Sequence, residues 1–136
     1  MIRHIKPTHA DIDAQLALLK PAFEGSPTPK SEFLDMCDRV KTQNASFYQL
    51  SHSGGSVRFV GLVEGNDYLI YALSGKNLRQ AAPAIIERVK QCGYQAIKFH
   101  TYKNGMRRIL NVFGFHEVER MQCESGAVET VHALTL

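Results

Sequence analysis

The chain has 136 residues, of which 44% are hydrophobic and 21% are charged, and its formal net charge is +3. This length fits one domain, which can bury roughly two-thirds of its unfolded surface without metals or disulfides. The small positive charge is compatible with an anionic small-molecule ligand. It argues against a dedicated nucleic-acid binder, which would carry a dense basic face.

The three cysteines, Cys37, Cys92 and Cys123, are spaced widely along the chain. An odd count without a CxxC spacing indicates reduced thiols and argues against a zinc site, so we predict no metal centre. The first residues lack the apolar core of a signal peptide, and no apolar run approaches the ~18 residues of a membrane span. We therefore expect a soluble cytoplasmic protein.

The first forty residues are predicted to form a strand and two helices. The strand covers Ile2–Lys6, and Thr8 is the expected N-cap of the first helix, which ends before Pro21. After a polar loop, Ser31 is the expected N-cap of the second helix. The apolar stripes of these two helices are Ile12, Leu16 and Leu19, followed by Phe33, Leu34, Cys37 and Val40.

The periodicity then changes from that of a helix to that of a strand. Three strands are predicted at Phe47–Leu50, Val57–Val63 and Tyr68–Leu73. The pair Gly65-Asn66, between the second and third of them, predicts a tight hairpin.

A helical stripe extends from Leu78 to Val89 and ends at Gly93, a residue suited to a helix C-terminus. Pro83 interrupts this stripe, so the helix either starts near Gln80 or is kinked. The next predicted strand is Ala96–Thr101.

A short amphipathic run, KNGMRRILNVFGF, occupies residues 103–115. Four apolar residues at helical spacing share one of its faces: Met106, Ile109, Leu110 and Phe113. Gly114 stands where a helix C-terminus needs a residue that tolerates the left-handed conformation. Phe115 then begins a strand, and a last alternating strand is predicted at Val128–Leu136.

A helix that closes on Gly-Phe and leads into a late strand resembles the C-terminal signature of the GNAT N-acetyltransferase superfamily. The order of elements and the opening IRHIKPTHADIDAQLALL are also similar to that family, over essentially the whole chain. The resemblance implies a single α/β (α+β) domain over residues 1–136. Its sheet would be mixed and mostly antiparallel, flanked by about four helices and split between the fourth and fifth strands. It further implies transfer of an acetyl group from acetyl-CoA to a primary amine of a small molecule or a protein.

In that family acetyl-CoA lies in the opening between those two strands. Its pyrophosphate rests on backbone amides at the N-terminus of the following helix, where unpaired N–H groups and the macrodipole favour anions. The resemblance places the cofactor-binding residues here at Leu73, Ser74, Gly75, Lys76, Asn77, Leu78 and Asn104. The family loop normally has two glycines, whereas this loop keeps one, at a shifted place, and adds a lysine that can compensate by charge. The basic residues Lys103, Arg107 and Arg108 are either further phosphate contacts or a solvated helix face.

Members of the family commonly have a tyrosine four residues before the glycine of Gly-Phe, where it protonates the departing thiolate. The residue at that position is Leu110, which cannot donate a proton, so Tyr102 or solvent would have to replace the tyrosine. The expected base, acting through water, is Glu64 or His100. The alternatives are a strand histidine without a chemical role and a glutamate that is merely solvated beside the hairpin.

The segment LSGK at Leu73–Lys76 and the leucine at position 110 also resemble the GNAT-like internal virion protein A type of short-tailed phages. This second resemblance implies a catalytically silent protein of the host cytoplasm or virion, with acetyl-CoA binding lost and phage proteins as partners. Its role would be virion assembly or protein interaction. Both hypotheses, the acetyltransferase and the silent phage protein, are compatible with a monomer or a homodimer.

Overall fold

The computed structural model describes residues 1–136 and contains one seven-stranded sheet. The strands are β1 (Ile2–Ile5), β2 (Ser46–His52), β3 (Gly55–Glu64), β4 (Asp67–Gly75), β5 (Ala96–Thr101), β6 (His116–Gln122) and β7 (Val128–Thr135). The helices are α1 (Ile12–Ala17), α2 (Pro29–Lys41), α3 (Leu78–Gln91) and α4 (Asn104–Val112), with a 3₁₀ turn at Lys20–Phe23. The predicted order of elements is therefore confirmed. No helix combines the length and the apolar character needed to cross a membrane.

The strand order is β1-β2-β3-β4-β5-β7-β6, and every neighbouring pair is antiparallel except β4 and β5, which are parallel. This arrangement confirms the predicted mixed, mostly antiparallel sheet. Helices α3 and α4 cover one face of the sheet, where Val57, Ile70 and Ile97 are fully buried. Helices α1 and α2 cover the other face, with Leu16 and Met36 at the centre of its core.

The alternation of side chains in β5 follows from the period of an extended strand. Ile97 and Phe99 are buried beneath α3 and α4, whereas Lys98 and His100 point to the opposite face and stay half-buried. The predicted bounds of this strand are confirmed. The hairpin at Gly65 is confirmed as well, with a φ of 60° at that glycine.

The two N-terminal helices start at residues other than those predicted, and in α2 a proline stands at the start. Helix α2 begins at Pro29, with Thr28 as its N-cap, so the prediction that Ser31 caps it is wrong. Proline is favoured at the first helical position because its missing N–H would have no partner there. The predicted cap at Thr8 is also wrong: helix α1 starts at Ile12 and is preceded by turns.

Helix α3 begins at Leu78, ahead of Gln80, and contains Pro83. The ring nitrogen of Pro83 cannot donate the bond that would reach the carbonyl of Arg79, but the helix continues through it to Gln91. Its buried stripe, Ala81, Ile85 and Val89, packs against the sheet and outweighs the loss of this one bond.

The parallel pair β4 and β5 separates partway along its length. Pairing covers Asp67–Ile70 of β4 and Ala96–Phe99 of β5, and no pairing continues beyond Ile70 and Phe99. A β-bulge lies at this point, because the register of β4 against β3 leaves Tyr71 as an extra residue. A bulge bends its strand and increases the local twist, which opens the sheet here. The predicted split between the fourth and fifth strands is confirmed.

Candidate active site

A groove of about 690 Å³ opens where β4 and β5 separate, between the end of β4 and the start of helices α3 and α4. Its lining residues come from four segments: Pro21, Leu73, Ser74, Gly75, Asn77, Leu78, Arg79, Gln80, Lys103, Met106 and Ile109. Five of the seven residues that the family resemblance placed at the cofactor therefore lie together along one groove.

The floor of the groove at the start of α3 offers unpaired backbone donors. The amide N–H of Asn77 donates no hydrogen bond within the protein, and those of Leu78 and Arg79, the first two residues of α3, have no partner within the helix. Free N–H groups and the positive end of the macrodipole make such a helix start favourable for an anion. Arg79 also lines the groove and is positively charged.

The left-handed turn of this loop falls on an asparagine. Asn77 has φ 56° and ψ 52°, and its Nδ2 donates to the carbonyl of Gly54 at 2.8 Å. Asparagine is one of the few residues with a side chain that adopts this conformation readily. Gly75 serves another purpose, since a Cβ there would lie 2.4 Å from the carbonyl oxygen of Ser56. Gly75 thus lets β4 approach β3.

Two of the predicted cofactor-binding residues lie outside the groove lining. The aliphatic part of the Lys76 side chain lies against Gly55, and the carbonyl of Lys76 accepts a hydrogen bond from His52 Nε2 at 3.0 Å. Asn104 is exposed, and its Oδ1 accepts from Arg107 Nη1 at 2.7 Å. Of the three basic residues that the sequence offered as further phosphate contacts, Lys103 lines the groove, and its ammonium group donates to the carbonyl of Pro21.

A second cavity, of about 230 Å³, lies on the side of the sheet that α1 and α2 cover. It is lined by Ala22, Phe23, Glu32, Leu69, Tyr71, His100, Tyr102 and Glu129. We call it the acidic pocket, because Glu32 and Glu129 are its only formally charged lining residues when His100 is neutral. The acidic pocket therefore favours a positively charged ligand.

The polar side chains of the acidic pocket form one hydrogen-bonded chain. His100 Nδ1 lies 2.8 Å from Glu129 Oε1. The hydroxyl of Tyr102 lies 3.0 Å from Glu129 Oε2 and 3.0 Å from Glu32 Oε1. Burial, and then the two carboxylates that accept from it, raise the pKa of Tyr102 above its ordinary value, so the phenol stays protonated.

The groove and the acidic pocket are separated by only two short pieces of chain. In the 3₁₀ turn, Pro21 lines the groove while its neighbour Ala22 lines the pocket. After β5, Tyr102 lines the pocket while Lys103 lines the groove. A ligand in the groove and one in the pocket would thus meet at the gap between the strands.

Glu64 does not share this place. It is exposed at the end of β3 and pairs with Asp67 across the hairpin, at the opposite end of β4 from the groove. It lines neither cavity. Its partner Asp67 is the first residue of β4, whereas the split lies further along that strand, at Tyr71. The structure thus places Glu64 apart from the groove, from the acidic pocket and from His100 and Tyr102.

Tyr102 is also placed differently from the prediction that it protonates a thiol in the groove. Its hydroxyl is held between two carboxylates of the acidic pocket, and its raised pKa makes it a weak acid. Leu110 is the buried residue of α4, packs into the core and brings no proton donor to either cavity. Arg107 is a structural residue that binds β7, whereas Arg108 is exposed.

Two residues of the acidic pocket were missed by sequence reasoning, Glu32 and Glu129. Glu129 reaches His100 because β5 and β7 pair with His100 opposite Val131, which makes Glu129 its diagonal neighbour. The alternation of the last strand was visible in the sequence, but its register against β5 was not. Glu32 is brought in by the packing of α2, for which the sequence carries no local signal.

Comparison with known proteins gives structural matches only: no family model and no curated protein matches the chain. The ribosomal-protein-S18-alanine N-acetyltransferase from Escherichia coli matches with a TM-score of 0.68 at 13% identity, over 99% of this chain and 94% of that one. The polyamine N-acetyltransferase of Drosophila melanogaster, which forms N-acetylagmatine, matches with a TM-score of 0.69 at 11% identity, over 100% and 99%. A ribosomal-protein-alanine N-acetyltransferase from Brucella melitensis matches with a TM-score of 0.62 at 14% identity, over 100% of this chain and 99% of that one. The chain therefore has the fold of the GNAT N-acetyltransferases.

Proposed function

We propose that this protein is an N-acetyltransferase that moves an acetyl group from acetyl-CoA to a primary amine. The observation that carries the proposal is the split sheet with a different cavity on each side. The groove presents unpaired amide donors, and the acidic pocket presents carboxylates and a histidine. An anionic donor substrate and a cationic acceptor suit these two cavities.

The residues of the groove fit the phosphate-bearing part of acetyl-CoA. The N–H of Asn77 has no partner within the protein, those of Leu78 and Arg79 have none within α3, and all three can donate to phosphate oxygens. The apolar side chains of Leu73, Met106 and Ile109 line the same groove. They would cover the less polar pantetheine arm.

The acidic pocket fits an amine acceptor. Glu32 and Glu129 attract the ammonium form of the amine, which must lose a proton before its nitrogen can attack. His100 accepts that proton, directly or through water, and the nitrogen then attacks the thioester carbonyl carbon. As the carbon–sulfur bond breaks, the nitrogen gives its second proton to water, and the thiolate leaves into the groove and is protonated from solvent. The similar structures named above support an amine acceptor, since both an alanine and a polyamine are acetylated by proteins of this fold.

The second candidate is a catalytically silent protein of the phage virion type, acting in assembly or protein interaction. One observation favours it: Leu110 is buried where the family resemblance puts the proton-donating tyrosine. None of the similar structures named above supports a phage role. A fold does not fix an activity, so a binding measurement decides between the candidates.

Titration of the protein with acetyl-CoA in a calorimeter tests the groove. We expect a dissociation constant in the micromolar range. Asn77→Val should weaken binding about tenfold or more, because a β-branched residue at positive φ costs roughly 1–2 kcal/mol and displaces the amides. Asn77→Gly is the matched control: it also loses the bond to Gly54 but keeps the turn, so its affinity should stay within about threefold. Absence of heat at millimolar acetyl-CoA would reject the enzyme and favour the silent protein.

An acetylation assay over a panel of primary amines tests the chemistry. His100→Gln should lower kcat by about 100-fold, the scale of a lost general base, with acetyl-CoA affinity unchanged. His116→Gln is the control, since His116 is exposed on β6, away from both cavities. Equal rates for wild type and His100→Gln would remove His100 from the proposal.

A further inference from the structure

We infer that Glu129 is a positioning residue for His100, one that fixes which ring nitrogen carries the proton. The inference deepens the function proposed above and rests on it for its kinetic part. Within the protein, Glu129 accepts from His100 and Tyr102 and forms no bond to a lysine or an arginine, so no structural ion pair accounts for it.

The geometry of the pair is set by the strands. His100 lies on β5 opposite Val131 of β7, and Glu129 precedes Val131 by two residues on the same face of the sheet. Diagonal neighbours of this kind come within reach when one side chain is long. The contact of 2.8 Å between Nδ1 and Oε1 therefore follows from the register of two paired strands rather than from a loop.

The contact has one consequence for a neutral histidine. A carboxylate only accepts, so Nδ1 must carry the hydrogen and donate it. The lone pair then resides on Nε2, which is the nitrogen free to take a proton from an amine or a water. Without Glu129 the ring would be free to exchange tautomers, and the fraction with a basic Nε2 would fall.

Tyr102 holds Glu129 in the orientation that this requires. The hydroxyl of Tyr102 lies 3.0 Å from the second carboxylate oxygen of Glu129 and equally far from Glu32. A phenol has one proton and donates to one of these carboxylates at a time. When that proton points to Glu129, the carboxylate is held at both oxygens, by the ring of His100 at one and by Tyr102 at the other. Glu32 competes for the same proton and does not contact His100.

The test is long-range ¹H–¹⁵N correlation spectroscopy of the full chain at pH 7.5, with His100 assigned by its loss in His100→Gln. In the wild type the spectrum should show a protonated Nδ1 and an unprotonated Nε2. Glu129→Leu should give mixed tautomers, because leucine cannot accept a hydrogen bond. Glu129→Gln keeps an acceptor oxygen and should largely restore the wild-type pattern. Glu32→Leu is the control: it removes a carboxylate of the same pocket that does not contact His100, and the pattern should not change.

Kinetics of the same variants add a second readout. We expect Glu129→Leu to lower kcat at least tenfold with acetyl-CoA affinity unchanged, and Glu129→Gln to recover part of the loss. A protonated Nε2 in the wild type, or an unchanged pattern in a folded Glu129→Leu, would overturn the inference. If no amine is acetylated while the tautomers follow the expected order, the proposed function fails and the positioning of His100 stands. If Glu129→Leu does not fold, the wild-type and Glu129→Gln spectra decide.

Discussion

Gly75 occupies a position where no side chain fits. Its φ is +149°, and a Cβ would lie 2.4 Å from the carbonyl oxygen of Ser56 and 2.6 Å from the Cα of Val57. Both contacts are with backbone, which cannot turn aside. We predict that Gly75→Ala lowers the free energy of unfolding by roughly 1–3 kcal/mol, measured by urea denaturation.

Gly105 provides the matched control for this change. It lies in the first turn of α4, and a Cβ there would meet nothing within 4 Å. Alanine should raise the free energy of unfolding by about 0.5–1 kcal/mol, because it restricts the unfolded chain without strain in the folded one. A Gly75→Ala protein as stable as the wild type would show that β3 and β4 can separate here at no cost.

The same loop shows the limit of sequence reasoning at single residues. The family resemblance directs attention to glycines, and the glycine present is used for packing against β3. The left-handed turn is supplied by Asn77, which the sequence does not distinguish from any other loop asparagine. Lys76 was expected to compensate by charge, yet its side chain runs towards the β2–β3 hairpin. Side-chain direction in a loop depends on packing with distant segments and cannot be obtained from residue type.

At the scale of elements, α4 is fastened to β7 by one arginine. Arg107 Nε donates to Thr130 Oγ1 at 3.0 Å, and its Nη2 donates to the carbonyl of Val128 at 2.6 Å. Thr130 is fully buried, so the bond satisfies a group that water cannot reach. We predict that Arg107→Met lowers the free energy of unfolding by about 2 kcal/mol, since bonds to a charged group are stronger than neutral ones.

Arg108→Met is the companion substitution, one residue along the same helix. Arg108 is exposed and makes no hydrogen bond or ion pair. Its replacement should change the free energy of unfolding by no more than ~0.5 kcal/mol in the same urea titration. Equal effects of the two substitutions would mean that the charge of the helix matters and its attachment to β7 does not.

Elements with a strong period were predictable, and their partners were not. The alternation of Ala96–Thr101 predicted the strand and both of its faces, and the apolar stripe ending at Gly93 predicted most of α3. The register that brings Glu129 to His100 depends on contacts between strands about 30 residues apart in the chain. The sequence therefore indicated His100 and Tyr102 as candidates, whereas Glu32 and Glu129 join them only through the tertiary fold.

At the scale of the whole molecule, stability should depend on pH through a buried histidine. His132 lies on β7, is 5% exposed, and its Nε2 lies 2.9 Å from Thr130 Oγ1. Burial lowers the pKa of His132 below its ordinary value of 6.5, because the charged form would lose its hydration. The folded protein thus keeps this ring neutral under conditions in which the unfolded chain has begun to protonate it.

The sign of the effect follows from proton linkage. As pH falls through 6.5, His132 binds a proton in the unfolded chain first, so acid favours unfolding until the folded pKa is also passed. The stability linked to the neutral ring is therefore complete above pH 6.5 and declines below it, by about 1.4 kcal/mol for each pKa unit between the two states.

Urea titrations at pH 7.5 and 5.5 should show a larger loss of unfolding free energy for the wild type than for His132→Gln. His116→Gln, at an exposed site, should keep the full wild-type difference, because that side chain meets water in both states. A wild-type difference no larger than that of His132→Gln would mean that the proton reaches His132 in the folded protein as easily as in the unfolded chain.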